Sequence, residues 1–293
     1  MPTLSKTDGP PRGGDPVVVM EGITKRFGSV QALSDVDFDV SAGEVVALVG
    51  DNGAGKSTLA KVLAGVHQPD SGSIQVAGRP VHLPHPRASQ AAGIATVFQD
   101  LALCDNLDVV ANLFLGQERT RTGVLDEVDM EREAWGLLKQ LSAKIPSVRI
   151  PVAGLSGGQR QTVAIARSLV GQPRVVMLDE PTAALGVAQT AEVLNLIERL
   201  RDQGLGVVLI THNMADVQAV ADRVVVLRLG RNAVDLGGDA TAEQLVAAIT
   251  GADDNVVSAR AAAHRPPAAA PAAGSAAGPS AGPSLDKEIS PDE

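Results

Sequence analysis

The chain has no tyrosine and few other aromatics, four Phe and one Trp among 293 residues. Base-stacking platforms of the kind used by RNA and single-strand binders are therefore scarce. Cations are outnumbered as well: 25 Lys and Arg face 34 Asp and Glu, for a formal charge of −9. A general nucleic-acid surface needs clustered cations to neutralise phosphates, so nucleic acid is not an expected partner. Cys104 is the only cysteine, which excludes an intrachain disulfide and a multi-cysteine metal site and suits a reducing cytoplasm. Long apolar runs are missing too. Stretches such as Val224-Val225-Val226-Leu227 have the length of strands, far short of the ~18 residues of a membrane span. Residues 1–15 lack the apolar stretch of a secretory signal and are expected to form a loose, disordered arm. Residues 251–293 are dominated by Ala, Pro, Gly and Ser, with too few large apolar groups to offset ordering entropy, and are expected to be a disordered tail. Residues 16–250, roughly 235 in number, are left for one folded domain.

What is present begins with residues 50–58, Gly50-Asp51-Asn52-Gly53-Ala54-Gly55-Lys56-Ser57-Thr58. The apolar run Val45 to Val49 before them reads as a buried strand, and Leu59, Val62 and Leu63 after them fall at helical spacing. In that setting the glycines let backbone N–H groups face phosphate oxygens, and the helix start adds its positive dipole end. Lys56 supplies a full charge to the β- and γ-phosphates, and the Ser57 hydroxyl is placed to ligate Mg²⁺. Short valine-rich strands then alternate with helical segments, the pattern of an α/β domain with a mostly parallel sheet. Strands are expected at 73–76, 94–98, 174–178, 207–210 and 223–229, and a helix at 187–202 that stops at Gly204. The alternation Val36-Asp37-Phe38-Asp39-Val40 suggests a half-exposed antiparallel sheet near the start. Residues 100–170 show no clear strand run and read as a mainly helical insertion.

A second element is Val175-Val176-Met177-Leu178-Asp179-Glu180, a buried strand ending in two carboxylates. Parallel α/β sheets bind ligands at the carboxyl ends of their strands. There Asp179 suits Mg²⁺, and Glu180 suits the orientation and polarisation of an attacking water. A third element, Leu155-Ser156-Gly157-Gly158-Gln159-Arg160-Gln161, precedes a stretch in which Val163, Ala166 and Val170 recur on one helical face. Ser156 is thus a natural N-cap, and the amides after it form a second anion site.

These three elements, in this order, resemble the ATP-binding cassette (ABC) ATPases, whose signature is Leu-Ser-Gly-Gly-Gln; the resemblance covers about residues 17 to 250. It implies a P-loop NTPase fold: a RecA-like α/β core with a mostly parallel sheet, an N-terminal antiparallel β-subdomain and a helical insertion. It also implies roles for matching positions. Phe27 corresponds to the aromatic that stacks on adenine, a contact worth about 1–3 kcal/mol. Gln99 corresponds to the Q-loop glutamine at the metal and γ-phosphate, and His212 to the switch histidine that bonds the γ-phosphate. One departure stands out: Ala183-Ala184-Leu185-Gly186 replaces the usual aspartate of the D-loop with Gly186.

In such a family ATP lies between residues 50–58 of one copy and Ser156, Gly157, Gly158 and Gln159 of another, so the resemblance implies a homodimer. Residues 99–116 are similar to the corresponding region of bacterial carbohydrate importers of the ribose, xylose and fructose group, in their single-cassette form. That implies an ATPase peripheral to the cytoplasmic face of the inner membrane. Its partners would be permease subunits that receive residues 100–116 and, indirectly, a periplasmic sugar-binding protein. An ABC ATPase serving another imported solute remains open at this point. A soluble, non-transport ABC ATPase would bring tandem cassettes, a coiled-coil insertion or a basic surface, and the sequence has none of these.

Overall fold

Alternating apolar and polar residues near the start build a sheet of their own in the computed structural model, which describes residues 14–251. The expectations for the arm and the tail fall outside this range, apart from Gly14, Asp15 and Gly251. Strand β1 (Pro16–Phe27) turns at Gly28 and pairs antiparallel with β2 (Val30–Ser41). Strand β3 (Val45–Gly50) leaves this sheet, and helix α1 (Lys56–Leu63) follows it. The chain then returns through β4 (Ser71–Val76) and β5 (Arg79–Pro80), giving the antiparallel order β2-β1-β4-β5.

The remaining strands build the core sheet. After the short helix α2 (Pro86–Ala91), β6 (Ile94–Val97) enters it. The insertion follows, with α3 (Val109–Phe114), β7 (Thr120–Arg121), β8 (Val124–Leu125), α4 (Glu127–Gln140) and α5 (Gly157–Leu169). The chain continues with β9 (Val175–Asp179), α6 (Val187–Asp202), β10 (Gly206–Ile210), α7 (Met214–Val220), β11 (Arg223–Arg228), β12 (Arg231–Gly237) and α8 (Ala242–Thr250). The sheet order is β12-β11-β3-β10-β9-β6. Every pairing is parallel except β11 with β12.

The continuous apolar runs of β3, β9 and β10 are explained by burial on both faces. Val176, Leu178, Val207 and Leu209 pack with α3, α4, α5 and α6 on one side. Their alternates Val175, Met177, Val208 and Ile210 pack with α1 and the antiparallel sheet on the other.

Three features differ from the sequence expectation. Within 100–170 the chain forms the small β7–β8 hairpin, turning at Thr122 and Gly123, both at positive φ. Two paired residues per strand leave no apolar periodicity to detect. Strand β12 was not expected either: it is polar and forms the antiparallel edge. Finally, Asp39 is not on a solvent face but 8% exposed.

The partner that admits Asp39 is Arg223, itself 3% exposed at the start of β11. Its guanidinium reaches Glu44 at 2.8 Å, Asp39 at 3.2 Å and Asp235 at 3.3 Å, tying β2, the β2–β3 turn and β12 together. Removing one member of a buried ion cluster leaves charge without its compensation in low dielectric. Arg223→Ala is therefore expected to destabilise the fold by about 3–5 kcal/mol, read from the urea midpoint. A midpoint within error of wild type would refute the role given to this cluster.

Candidate active site

The register of the parallel strands delivers four loops to one edge. Leu48 pairs with Ile210, Ile210 with Asp179, and Leu178 with Val97. The segments that leave β3, β10, β9 and β6 therefore start side by side at the carboxyl end of the sheet. They carry residues 50–58, Thr211 and His212, Asp179 and Glu180, and Gln99.

The phosphate loop is shaped by close approach. A Cβ at Gly50 (φ 150°) would run into the carbonyl oxygen of Leu227, so only glycine fits against the neighbouring strand. Asp51, Asn52, Gly53 and Ser57 are exposed, Gly55, Lys56 and Thr58 half-buried, and Ala54 buried. Lys56 folds back over the loop and donates through Nζ to the carbonyls of Gly50 at 2.7 Å and Asp51 at 3.0 Å. Burial lowers its pKa from the usual lysine value, although the Glu180, Asp51 and Asp179 carboxylates oppose that shift.

Asp179 closes β9 at a half-buried position, and burial raises its carboxyl pKa, with the Glu180 charge adding to the effect and Lys61 and Lys56 opposing it. Glu180 follows with a left-handed backbone, φ 50°. Its Oε1 lies 2.8 Å from Nδ1 of His212, and its Oε2 accepts from the Thr211 hydroxyl at 3.4 Å. The Glu180 side chain is 16% exposed and that of His212 77% exposed, so the pair runs from the loop base to the open surface. Lys56, Asp179, Glu180 and His212 are thus brought together at one edge of the sheet. Gln99 is exposed beyond β6 and makes no hydrogen bond to this pair.

Among the described residues no group of three His, Cys, Asp or Glu could hold a metal by itself. Mg²⁺ needs less from a protein, keeping several waters and relying on one or two carboxylates plus phosphate oxygens. The half-buried Asp179 carboxylate, with the Lys56 charge acting on it, and the exposed Ser57 next to Lys56 in the loop are the chemical types that fit that donor set.

Phe27 is not a core residue. It is 43% exposed at the end of β1, and the His67 ring meets its own ring edge-on, 5.1 Å between centroids. The Lys25 ammonium sits 5.6 Å from the Phe27 centroid while paired with Asp70 at 2.9 Å. His67 and Lys25 escaped sequence reasoning, because nothing in their spacing reports a contact between α1's exit and β1's end.

The signature residues open helix α5. Ser156 and Gln159 form a reciprocal capping box at α5, at 3.0 and 3.3 Å. Gly157 and Gly158 allow the start of α6 to approach: a Cβ on them would lie 3.1 Å from Leu185 and 3.2 Å from Gln189. Among the described residues no hydrogen bond joins 156–159 to 50–58. Gly186 caps α6 without a side chain, its N–H donating to Gln189 Oε1 at 3.3 Å.

Comparison with known proteins shows the family. The sequence profile of a family described as ABC transporter matches residues 33–183. The chain is 43% identical over 249 residues to the fructose import ATP-binding protein FrcA of Rhizobium meliloti, covering 82% of this chain and 96% of that one. It is 44% identical over 209 residues to the xylose/arabinose import ATP-binding protein XylG of Sulfolobus acidocaldarius, covering 71% and 83%. The match to a putative ribose/galactose/methyl galactoside import ATP-binding protein of Burkholderia cenocepacia is 43% over 82% of this chain, which spans only 48% of that protein. Among solved structures, an ATP-binding cassette of an ABC transporter in its ADP conformation superposes with TM-score 0.71 at 25% identity, covering 85% of this chain and 99% of that one.

The raised pKa of Asp179 has a sign that can be tested. A carboxyl whose folded pKa is raised stabilises the fold most when protonated, and that contribution is lost as pH rises through the folded value. Asp179→Asn removes the loss. The ligand-free variant should melt higher than wild type at pH 7, with the gap closing below the carboxylate range. Melting curves from pH 4 to 8 that superimpose throughout would refute this reading.

Proposed function

Because the chain belongs to the ABC transporter family of ATPases, we propose that it is the ATP-hydrolysing subunit of an importer that energises uptake of a monosaccharide. The observation that carries the chemistry is the Glu180–His212 pair at 2.8 Å beside Lys56 and Asp179. The names of its relatives, which concern fructose, xylose/arabinose and ribose/galactose import, support the sugar class. The high coverage of the fructose protein favours fructose as the first sugar to test.

In this reading the amides of residues 50–58 and the Lys56 ammonium bind the triphosphate, while Phe27 stacks on the base. Ser57 and Asp179 hold Mg²⁺, which when bound neutralises charge on the phosphate oxygens. Glu180 orients a water and takes its proton as the water oxygen bonds to the γ-phosphorus and the bond to the β-phosphate oxygen breaks. Its raised neighbour Asp179 and the nearby Lys56 set the field in which that carboxylate works. His212 is largely exposed and turns from Glu180 to a γ-phosphate oxygen when nucleotide is present. Gln99, two residues beyond the end of β6, would reach the metal and the γ-phosphate from the neighbouring loop.

The second phosphate receptor, Ser156 to Gln159, makes no hydrogen bond to residues 50–58 of its own chain, which supports a homodimer with two shared ATP sites. No helix among the described residues is long and apolar enough to cross a membrane, so the proposed place is peripheral, on the cytoplasmic face beneath a permease. A cleft of about 260 Å³ between β6 and α5, lined by Phe98, Leu101, Leu115, Arg167 and Pro173, would take side chains of that permease. A periplasmic sugar-binding protein would act through the permease and touch nothing here.

Glu180→Gln should reduce turnover by ~10²–10⁴-fold while retaining nucleotide binding. On size exclusion this variant should elute as a dimer with ATP and Mg²⁺ and as a monomer with ADP. A monomer under both conditions would remove the homodimer with shared ATP sites. Cells carrying Lys56→Ala should lose uptake of one labelled monosaccharide in a panel that begins with fructose; unchanged uptake of every sugar would remove the import reading.

A further inference from the structure

Glu180 adopts a backbone conformation that its type and its neighbour disfavour. Its φ of 50° is left-handed, and it precedes Pro181, which pushes the preceding residue towards extended conformations. Such strain persists only where the surroundings over-determine it. Here the surroundings are a closed ring of side chains. The Thr211 hydroxyl donates to Glu180 Oε2 at 3.4 Å and accepts the Asn213 N–H at 3.0 Å. Asn213 Nδ2 donates to Asp216 Oδ1 at 2.9 Å, and the Thr182 hydroxyl donates to Asp216 Oδ2. Thr182 lies two residues beyond Glu180, which closes the ring.

Asp216 is 3% exposed and Thr182 9% exposed. The reaction derived above uses neither, and among the described residues no cation pairs with Asp216. A buried carboxylate held by two neutral donors is costly unless it is fully engaged. Its two acceptors point to two different loops, one leaving β9 and one leaving β10.

We propose that Asp216 is a positioning residue for hydrolysis: by bridging Thr182 and Asn213 it clamps the loop after β9 to the loop after β10, holding the strained Glu180 backbone with its carboxylate at His212. The inference rests on the ATPase reading and deepens it. Because the clamp acts on geometry and makes no hydrogen bond to residues 50–58, it governs the chemical step and leaves nucleotide affinity alone.

The test compares the full-length chain with Asp216→Ala, Asp216→Asn and Thr182→Val. Asp216→Ala should lower kcat by about 10²-fold, the scale of a 1 Å misplacement, with KM for ATP changed by no more than about twofold. Asp216→Asn should recover most of kcat, since its carbonyl accepts from Asn213 while its amide donates to the Thr182 hydroxyl, which can turn to accept. Thr182→Val, close to isosteric and therefore folded, should also lose kcat, and should add nothing in the Asp216→Ala background because the ring is already open. A readout independent of turnover is the His212 imidazole resonance of the nucleotide-free protein, identified by its absence from His212→Gln. It should move in Asp216→Ala and Thr182→Val and stay in place in Asp216→Asn. Unchanged kcat in Thr182→Val, a loss confined to KM, or an unmoved resonance overturns the clamp. A wild-type chain that binds ATP without hydrolysing it overturns the ATPase reading instead, and the resonance then decides the clamp by itself.

Discussion

The parallel register that sets Leu48 beside Ile210 and Ile210 beside Asp179 is the constraint on which the site depends. Strand hydrogen bonds fix that register, and burial on both faces prevents it from slipping, because a shift of one residue would exchange the two cores. Val176 and Leu178 would then face the antiparallel sheet, and Val175 and Met177 the insertion helices. The chain cannot relocate its loops without inverting its packing. Catalytic geometry is therefore paid for by hydrophobic burial, at about 25 cal/mol per Å², and not by interactions among the functional groups.

Those groups are, without ligand, in mild electrostatic conflict. Burial disfavours the charged forms of both Lys56 and Asp179, whose pKa values move in opposite directions for the same reason. Lys56 satisfies its donors on the carbonyls of Gly50 and Asp51, and Glu180 leans on His212. Each of these internal contacts occupies an atom that a triphosphate, a cation or a water would otherwise engage. Binding then exchanges one set of polar partners for another, so the site stays hydrogen-bonded at both ends of a cycle. A ligand that makes different contacts in two states is what a population shift requires.

Much of this was legible in the sequence, for identifiable reasons. Continuous apolar runs ending in charge located β3, β9 and β10 and the residues at their tips, because a strand's end is fixed where burial ends. The helix at Val187–Asp202 was read with its true bounds because apolar spacing and a stop at Gly204 agreed. What stayed hidden depends on contacts between residues distant in sequence. Asp39 alternates like a solvent-facing residue, and only Arg223, 184 positions later, makes it an interior one. Asn112 looks like an ordinary helical polar residue, yet it is fully buried and holds Cys104, Leu107 and Asp108 through four hydrogen bonds. The sequence assigned the residues after Ser156 only as amides of an anion site, whereas the smallness of Gly157 and Gly158 also serves the approach of Leu185 and Gln189.

That last contact gives α5 a mechanical meaning. At its start the helix carries the Ser156 cap and abuts Leu185 and Gln189, only a few residues beyond Glu180. Towards its end Arg167 donates to the carbonyls of Leu101 and Ala102 at 2.9 and 2.8 Å, pinning the segment that lines the cleft beside β6. Thirteen residues of helix span about 20 Å, and the buried face from Val163 to Leu169 locks that rod into the insertion core. Burial lowers the pKa of Arg167, yet its guanidinium sits on backbone carbonyls and not on a carboxylate. An ion pair would fix one point of the loop, whereas two successive carbonyls fix its direction. A displacement of the cleft wall therefore has a stiff element to act on, and the far end of that element touches the loop that leaves the Glu180 strand.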